Sequence, residues 1–141
     1  MNELVDSIFV MVDDNVDEIF LTRRQMRKQG IVNRFISEKK PEKLFETLEH
    51  IKMTTDGRTE FIIIVDINMP RCNGFELLDL IRAHDAYRET PVIMLSVSDD
   101  ESDIFEAFER GANGYVVKPF SSDEFFAALS NVPSVKQQIV Q

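Results

Sequence analysis

Cysteine and long apolar runs are scarce in this sequence. The 141 residues include one cysteine, Cys72, so no disulfide can form within the chain, which favours a reducing compartment. No apolar stretch approaches the roughly 20 residues that a membrane-spanning helix needs. The first residues also lack the basic start and apolar run of a signal peptide. We therefore predict a cytoplasmic protein that does not enter a membrane.

Positive charge is in deficit as well. The chain has 25 acidic and 16 basic residues, for a formal net charge of −9. This balance argues against binding nucleic acid through its phosphates or docking on anionic lipid, and it is compatible with divalent cations or basic partner surfaces. No repeat or low-complexity linker divides the chain. We predict one domain over residues 1–141, with a core at about 7–130 and a short tail at 131–141.

Short apolar runs alternate with longer amphipathic segments along the chain. The clear runs are Ile8 to Val12, Phe61 to Val65, Val92 to Leu95 and Tyr115 to Val117. Three of them are uninterrupted and rich in β-branched or aromatic residues, as in strands buried on both faces. A weaker run at Phe35-Ile36 predicts an edge strand. The strand–helix unit recurs five times, which indicates an α/β domain with a mostly parallel sheet and helices on both faces.

Helix starts and stops are marked by local residue choices. Four residues lie three positions before a glutamate and are predicted N-caps: Asn15, Asn73, Ser98 and Ser121. Pro41 suits the first turn of a helix, and Gly30 and Gly111 lie where helices should end. Four of the predicted helices, the second to the fifth, carry an apolar stripe, which in the fourth helix consists of Ile104, Ala107 and Phe108.

Polar side chains follow four of the predicted strands. They are Asp13 and Asp14 after the first, Asp66 after the third, Ser96 after the fourth and Lys118 after the fifth. The carboxyl ends of parallel strands meet at one edge of a sheet, where ligands bind in such domains. Any one of these aspartates could equally be a turn or capping residue. The prediction of a site depends on finding all five at successive strand ends.

Such a cluster has a definite chemistry. Close carboxylates repel one another, and a hard divalent cation such as Mg²⁺ relieves the repulsion. A lysine and a hydroxyl can stabilise the charge of a transferred phosphoryl group, and one carboxylate can act as the nucleophile that receives it. The predicted site therefore suits phosphoryl acceptance.

These motifs together resemble the receiver family of two-component response regulators, the CheY-like domains. The resemblance runs from about Ile8 to Leu129. It consists of Val-Asp-Asp at 12–14, Val-Asp-Ile-Asn-Met-Pro at 65–70 with Asn-Gly at 73–74, Ser96, and Gly-Ala-Asn-Gly-Tyr-Val-Val-Lys-Pro-Phe at 111–120. It implies a doubly wound, flavodoxin-like fold whose five parallel strands lie in the order 2-1-3-4-5.

The resemblance also implies roles for the acidic residues. Asp66 would be the phosphoacceptor. Asp14, Asp66 and the backbone carbonyl of Asn68 would bind Mg²⁺ directly, with Mn²⁺ as an alternative ion, and Asp13 would act through a metal-bound water.

Three further residues are assigned in the same way. Ser96 would bond a phosphoryl oxygen, Lys118 would pair with the phosphoryl charge, and Ser96 and Tyr115 together would form the switch. The Lys118–Pro119 peptide would be cis. Val97 is bulkier than the residue common in the family at that position, and we expect it to obstruct inward rotation of Tyr115 and mute the switch.

The resemblance implies a signalling switch rather than an enzyme, one that catalyses only its own phosphorylation and dephosphorylation. The donor would be a sensor histidine kinase or a phosphotransfer protein. The downstream protein is not identified by the sequence. It would dock on the face made by the fourth helix, fifth strand and fifth helix, where a homodimer could also form. The segment at 13–20 looks closest to stand-alone regulators found beside phytochrome-type kinases.

Other functions remain open at this point. The chain could be a pseudo-receiver that docks without phosphorylation, or a receiver that belongs to a longer regulator. A phosphatase with an aspartate nucleophile needs a second carboxylate two residues later, where this chain has Asn68. A flavin carrier would need a phosphate-binding loop rich in Gly, Ser and Thr after the first strand, which the sequence lacks.

Overall fold

Strands and helices alternate along the whole described chain. A computed structural model describes residues 7–55, 59–70 and 72–132. The strands are β1 (Ile8–Val12), β2 (Phe35–Glu38), β3 (Phe61–Asp66), β4 (Val92–Ser96) and β5 (Gly114–Val117). The helices are α1 (Val16–Lys28), α2 (Leu44–Thr54), α3 (Gly74–Ala83), α4 (Glu101–Glu109) and α5 (Ser122–Leu129), with a 3₁₀ turn at Pro41–Lys43. Most of the predicted tail, from 133 to 141, lies outside the described residues.

All five strands are parallel and lie in the order β2-β1-β3-β4-β5. This confirms the predicted fold class and the order implied by the resemblance, and β2 is an edge strand as expected. The register pairs Val12 with Val65, Asp66 with Leu95, and Ser96 with Val117. The carboxyl ends of β1, β3, β4 and β5 therefore lie side by side, which brings the polar residues that follow them to one edge.

Apolar side chains form a layer on each face of the sheet. Helices α2, α3 and α4 cover one face, where Leu48 and Leu78 pack with Ile63. Helices α1 and α5 cover the other face, where Ile19 and Phe125 belong to the same buried cluster as Ile64. Because β1, β3 and β4 are buried on both faces, their sequences read as uninterrupted apolar runs.

Three of the four predicted N-caps are confirmed. The side chains of Asn15, Asn73 and Ser121 accept hydrogen bonds from backbone amides in the first turns of α1, α3 and α5. The prediction for Ser98 is wrong, because α4 begins two residues later with Asp100 as its cap. The Ser98 hydroxyl accepts instead from the backbone amide of Asp100, at 3.2 Å, in the loop before the helix.

The other predicted helix boundaries agree with the structure. Pro41 begins the 3₁₀ turn that leads into α2. Gly30 and Gly111 follow α1 and α4 with φ values of 77° and 104°, a left-handed conformation that favours glycine.

Helix α4 presents a narrower apolar face than the sequence suggested. Ala107 is fully buried against the sheet, whereas Phe108 is 46% exposed, so its prediction as a core residue is wrong. Successive residues point about 100° apart around a helix. With Ala107 facing the sheet, the next side chain is therefore turned towards solvent.

No helix in the described ranges is long and apolar enough to cross a membrane.

Candidate functional site

The structure brings the predicted polar residues together at the carboxyl edge of the sheet. Asp66 is the last residue of β3 and Ser96 the last of β4, and both are buried. Asp13 follows β1 and is fully buried, and Lys118 follows β5. Backbone hydrogen bonds continue the sheet past these ends, since the Lys118 amide donates to the Ser96 carbonyl at 2.7 Å.

Asp66 is held by a lysine and by a backbone amide. Its Oδ1 accepts from Lys118 Nζ at 3.0 Å and from the Asn68 amide at 3.0 Å. Burial of Lys118 disfavours its ammonium form, but the ion pairs with Glu18 and Asp66 outweigh this and raise the lysine pKa. The lysine is therefore a fixed positive charge beside Asp66. The Lys118–Pro119 peptide is cis, as the resemblance implied.

The surroundings of the Asp13 carboxyl group disfavour its ionised form. Its pKa is raised to about 7, chiefly because burial disfavours the ionised form. The negative charges of Asp66 and Glu18 also raise the pKa, whereas the Asn15 backbone hydrogen bond and Lys118 lower it. The Asn15 amide donates to Oδ1 at 2.9 Å. Oδ2 is buried and has no hydrogen-bond partner among the described residues. A buried, unpartnered carboxylate oxygen needs a proton or a cation.

Glu18 lies in the site and was not predicted as a site residue from the sequence. Carboxylate oxygens of Asp13, Glu18 and Asp66 all lie within 4.8 Å of one another, and Glu18 forms an ion pair with Lys118. The sequence suggested only that Glu18 was an acidic residue in the first turn of a helix. A useful clue was present, because α1 begins just after β1 and its first turn must lie beside the end of that strand.

Asp14 lies at the rim of the site. It is exposed and is not part of the close group formed by Asp13, Glu18 and Asp66. It does border the open cavity over Asp66, which is lined by Asp14, Asn15, Val16, Glu18, Asp66, Asn68 and Pro70. Its assignment as a direct metal ligand, together with the carbonyl of Asn68, stays a prediction.

The Asn68 side chain joins the ends of β3 and β4. Its Oδ1 accepts from Ser96 Oγ and from the Val97 amide, both at 3.2 Å. Ser96 Oγ also accepts from the Ser98 amide at 3.0 Å. The hydroxyl predicted to meet a phosphoryl oxygen is thus engaged with this loop and must leave Asn68 to do so.

Tyr115 occupies an inward, half-buried position. Its hydroxyl donates to the Ser98 carbonyl at 3.0 Å, and its ring packs against the apolar layer under α2, α3 and α4. Val97 is 66% exposed and lines a groove on the α1 side with Leu21 and Phe120. The expectation that Val97 obstructs Tyr115 is therefore wrong, because the two side chains lie on opposite sides of the strand end.

The residues of this site fit a hard divalent cation. All the candidate ligands are carboxylate or carbonyl oxygens, which Mg²⁺ prefers. Asp13, whose Oδ2 has no hydrogen-bond partner among the described residues, belongs to the same close group of carboxylates as Asp66. Within the described residues, Lys118 is the cation paired with this group, so excess negative charge remains.

Sequence comparison places the chain in a family. The model of the response regulator receiver domain matches residues 9–130. The chain belongs to the response regulator receiver family. Receivers of this family are signalling switches that bind Mg²⁺ at acidic residues, which agrees with the acidic group at the end of β1 and β3.

Individual relatives support the assignment. This receiver is 35% identical to a chemotaxis protein CheY homolog of Campylobacter jejuni over 71 residues, which are 50% of the chain and 55% of that protein. It is 43% identical to the protein PilG of Pseudomonas aeruginosa over 74 residues, 52% of the chain and 55% of that protein. The receiver thus matches about half the length of these curated relatives.

Solved structures agree in fold. The bacteriophytochrome response regulator AtBRR superposes with a TM-score of 0.74 at 25% identity, covering 94% of this receiver and 95% of that chain. The predicted resemblance to phytochrome-associated regulators is therefore confirmed as a similarity.

Proposed function

We propose that this receiver accepts a phosphoryl group on Asp66 from a phosphohistidine and uses it to switch a docking surface. The donor would be a sensor histidine kinase or a phosphotransfer protein, which would place the receiver in the cytoplasm. The observation that carries the proposal is the buried Asp66 carboxylate, 3.0 Å from the ammonium group of Lys118 and grouped with two further carboxylates.

The transfer step follows from the way Asp66 is held. Oδ1 is fixed by Lys118 and the Asn68 amide, so Oδ2 is the oxygen that attacks phosphorus. A new O–P bond forms as the N–P bond of the phosphohistidine breaks, and the electron pair leaves with the imidazole nitrogen. When bound by Asp14, Asp66 and the Asn68 carbonyl, with Asp13 acting through a bound water, Mg²⁺ (or Mn²⁺) would supply positive charge that neutralises the carboxylates and the phosphoryl oxygens.

Lys118 and Ser96 then stabilise the phosphorylated state. Lys118 pairs with the added charge of about −1.5 to −2. Ser96 exchanges its bond to Asn68 for one to a phosphoryl oxygen. Because Ser96 Oγ also accepts from the Ser98 amide, this movement pulls on the loop whose carbonyl holds the Tyr115 hydroxyl. The switch would therefore pass through the loop between β4 and α4.

A protein donor has a surface to dock on next to the site. The groove beside Lys118 is formed largely by apolar side chains, with Leu21 on α1, Val97 after β4 and Phe120 after the cis peptide. Phe20 on α1 is also 64% exposed. This apolar surface supports a protein donor, because a small phosphodonor does not need it.

Exposed aromatic side chains on α4 support an output surface on this face. Phe105 and Phe108 are exposed on this helix, at 65% and 46%. We propose that the α4–β5–α5 face binds the downstream protein or a second copy of the chain after phosphorylation. Light scattering during size-exclusion chromatography, with and without a phosphodonor, tests the homodimer, and an unchanged mass under full phosphorylation would exclude it.

A hydrolase is supported less well than a switch. The side chain two residues after Asp66 is Asn68, an amide already bonded to Ser96 and the Val97 amide. An amide is not a general base, so it cannot activate the water that would attack the aspartyl phosphate, and rapid turnover is not supported by this residue.

Intact mass spectrometry tests the proposal. The protein is incubated with Mg²⁺ and acetyl phosphate, and with a phosphohistidine protein, alongside Asp66→Asn and the exposed control Asp99→Asn. We expect one phosphoryl increment in the wild type and the control and none in Asp66→Asn. No increment from either donor would favour the docking module without phosphorylation. An equal increment in Asp66→Asn would mean that the acceptor is another residue.

A further inference from the structure

The ammonium group of Lys118 is shared between two carboxylates. Lys118 Nζ lies 3.0 Å from Asp66 Oδ1 and also contacts Glu18 Oε1. The side chains of Lys118 and Asp66 are 12% and 3% exposed, and that of Glu18 is 32% exposed. The ion pair is therefore largely shielded from solvent. This shielding makes the electrostatic interaction stronger than that of an ion pair on the surface.

Two helix starts in this chain explain why Glu18 is free to reach the lysine. In α5, the N3 residue Glu124 accepts from the Ser121 amide and completes a capping box. In α1, Glu18 occupies the same N3 position, but the amide of the cap residue Asn15 donates to Asp13 Oδ1. Because Asp13 takes the capping role, the Glu18 side chain extends across the site to Lys118.

Glu18 and a phosphoryl group on Asp66 require the same partner. A phosphoryl group brings about −1.5 to −2 charge and three acceptor oxygens next to the Asp66 carboxylate. Lys118 is the cation of the described site, and its contact with Glu18 takes one of the three N–H donors and draws the ammonium group towards α1. The Glu18 carboxylate also repels the incoming phosphoryl charge, since it lies within 4.8 Å of an Asp66 oxygen.

We propose that Glu18 is a positioning residue that competes with the phosphoryl group for Lys118 and slows phosphorylation of Asp66. In the unphosphorylated protein it holds the lysine jointly with Asp66, and on phosphorylation the lysine moves to the phosphoryl oxygens and releases Glu18. The inference deepens the proposed function and rests on it.

Glu18→Gln tests the competition, because it removes the charge and keeps the size of the side chain. Asp17→Asn is the matched control, since it removes one charge from the same exposed helical turn. Initial rates of phosphorylation by acetyl phosphate at saturating Mg²⁺ are followed by intact mass. We expect Glu18→Gln to react about fivefold faster than the wild type, because the free energy of a partly exposed ion pair corresponds to a rate factor of about that size. The rate of Asp17→Asn should differ from that of the wild type by less than about twofold.

The ¹⁵N resonance of the Lys118 ammonium group gives a second readout that a purely structural role would not move. We expect Glu18→Gln to shift this resonance in the unphosphorylated protein, and the resonances of the phosphorylated wild type and variant to coincide. A rate for Glu18→Gln equal to or below that of the wild type would overturn the competition, as would resonances that differ as much after phosphorylation as before.

The two proposals fail in different ways. If the wild type is not phosphorylated by any donor, the receiver function itself is wrong. If the wild type is phosphorylated on Asp66 and Glu18→Gln shows no acceleration, only the role of Glu18 is wrong.

Discussion

Replacement of Asp13 by asparagine should stabilise the protein in the absence of divalent cations. Asp13 is fully buried, its Oδ2 has no partner among the described residues, and its pKa is raised from an ordinary value of 3.8 to about 7. The unfolded chain therefore ionises this carboxyl more easily than the folded protein does. Each pKa unit corresponds to about 1.4 kcal/mol, so the ionised carboxylate costs the fold up to about 4 kcal/mol above pH 7.

The sign of the pH dependence follows from that raised pKa. Below pH 3.8 the carboxyl is protonated in both states and costs nothing, and between pH 3.8 and about 7 the wild type loses stability as pH rises. The advantage of Asp13→Asn should therefore be about 1–4 kcal/mol at pH 8 and smaller at pH 5. The lower end of this range applies if water enters the cluster and solvates the ionised Asp13 carboxylate.

Urea denaturation in EDTA, followed by circular dichroism at several pH values, measures this advantage. Asp99→Asn provides the control, because its carboxylate is exposed in the loop after β4. Saturating Mg²⁺ should stabilise the wild type more than Asp13→Asn and so narrow the gap. A variant less stable than the wild type at pH 8 in EDTA would refute the account of Asp13.

Three further predictions concern the lysine and the framework that supports the output face. Lys118→Met should reduce phosphorylation by acetyl phosphate at least tenfold, because it removes the charge 3.0 Å from Asp66; initial rates by intact mass check this, and a rate within twofold of the wild type would contradict it. Arg82→Leu should destabilise the protein by about 3 kcal/mol, because its guanidinium donates to the Thr90 carbonyl and twice to the Gly111 carbonyl; urea denaturation measures this, and a loss below about 1 kcal/mol would show that water replaces these bonds. Gly111→Ala should lower the stability of the protein more than Gly30→Ala does, because a Cβ at Gly111 would lie 2.8 Å from Arg82 Nε, whereas the space around Gly30 is open. Thermal denaturation of both variants measures the difference, and equal losses of stability would argue that backbone strain alone is responsible.

The fold was predictable because its central strands, β1, β3 and β4, are buried on both faces. Burial of β1 and β3 between two helical layers requires apolar residues at every position, and such runs are visible in a sequence. The site residues Asp66, Ser96 and Lys118 were predictable for a related reason. Each lies at the end of an apolar run, and parallel strands bring their carboxyl ends to the same edge.

Features that depend on side-chain direction were harder to predict. Glu18 fits a local capping pattern, and only the hydrogen bond from Asn15 to Asp13 shows that it serves Lys118 instead. Val97 was expected to obstruct Tyr115 on grounds of size alone. Its outward direction is set by the loop after β4, which residue size does not reveal.

The most direct test of the central claim is to locate the phosphoryl group. The protein is incubated with Mg²⁺ and a phosphodonor, reduced with borohydride, which converts an aspartyl phosphate to homoserine, and sequenced by tandem mass spectrometry. The account predicts homoserine at position 66 and at no other aspartate. Homoserine at Asp13 or Asp14, or an unmodified Asp66 in a protein that has gained a phosphoryl group, would contradict it.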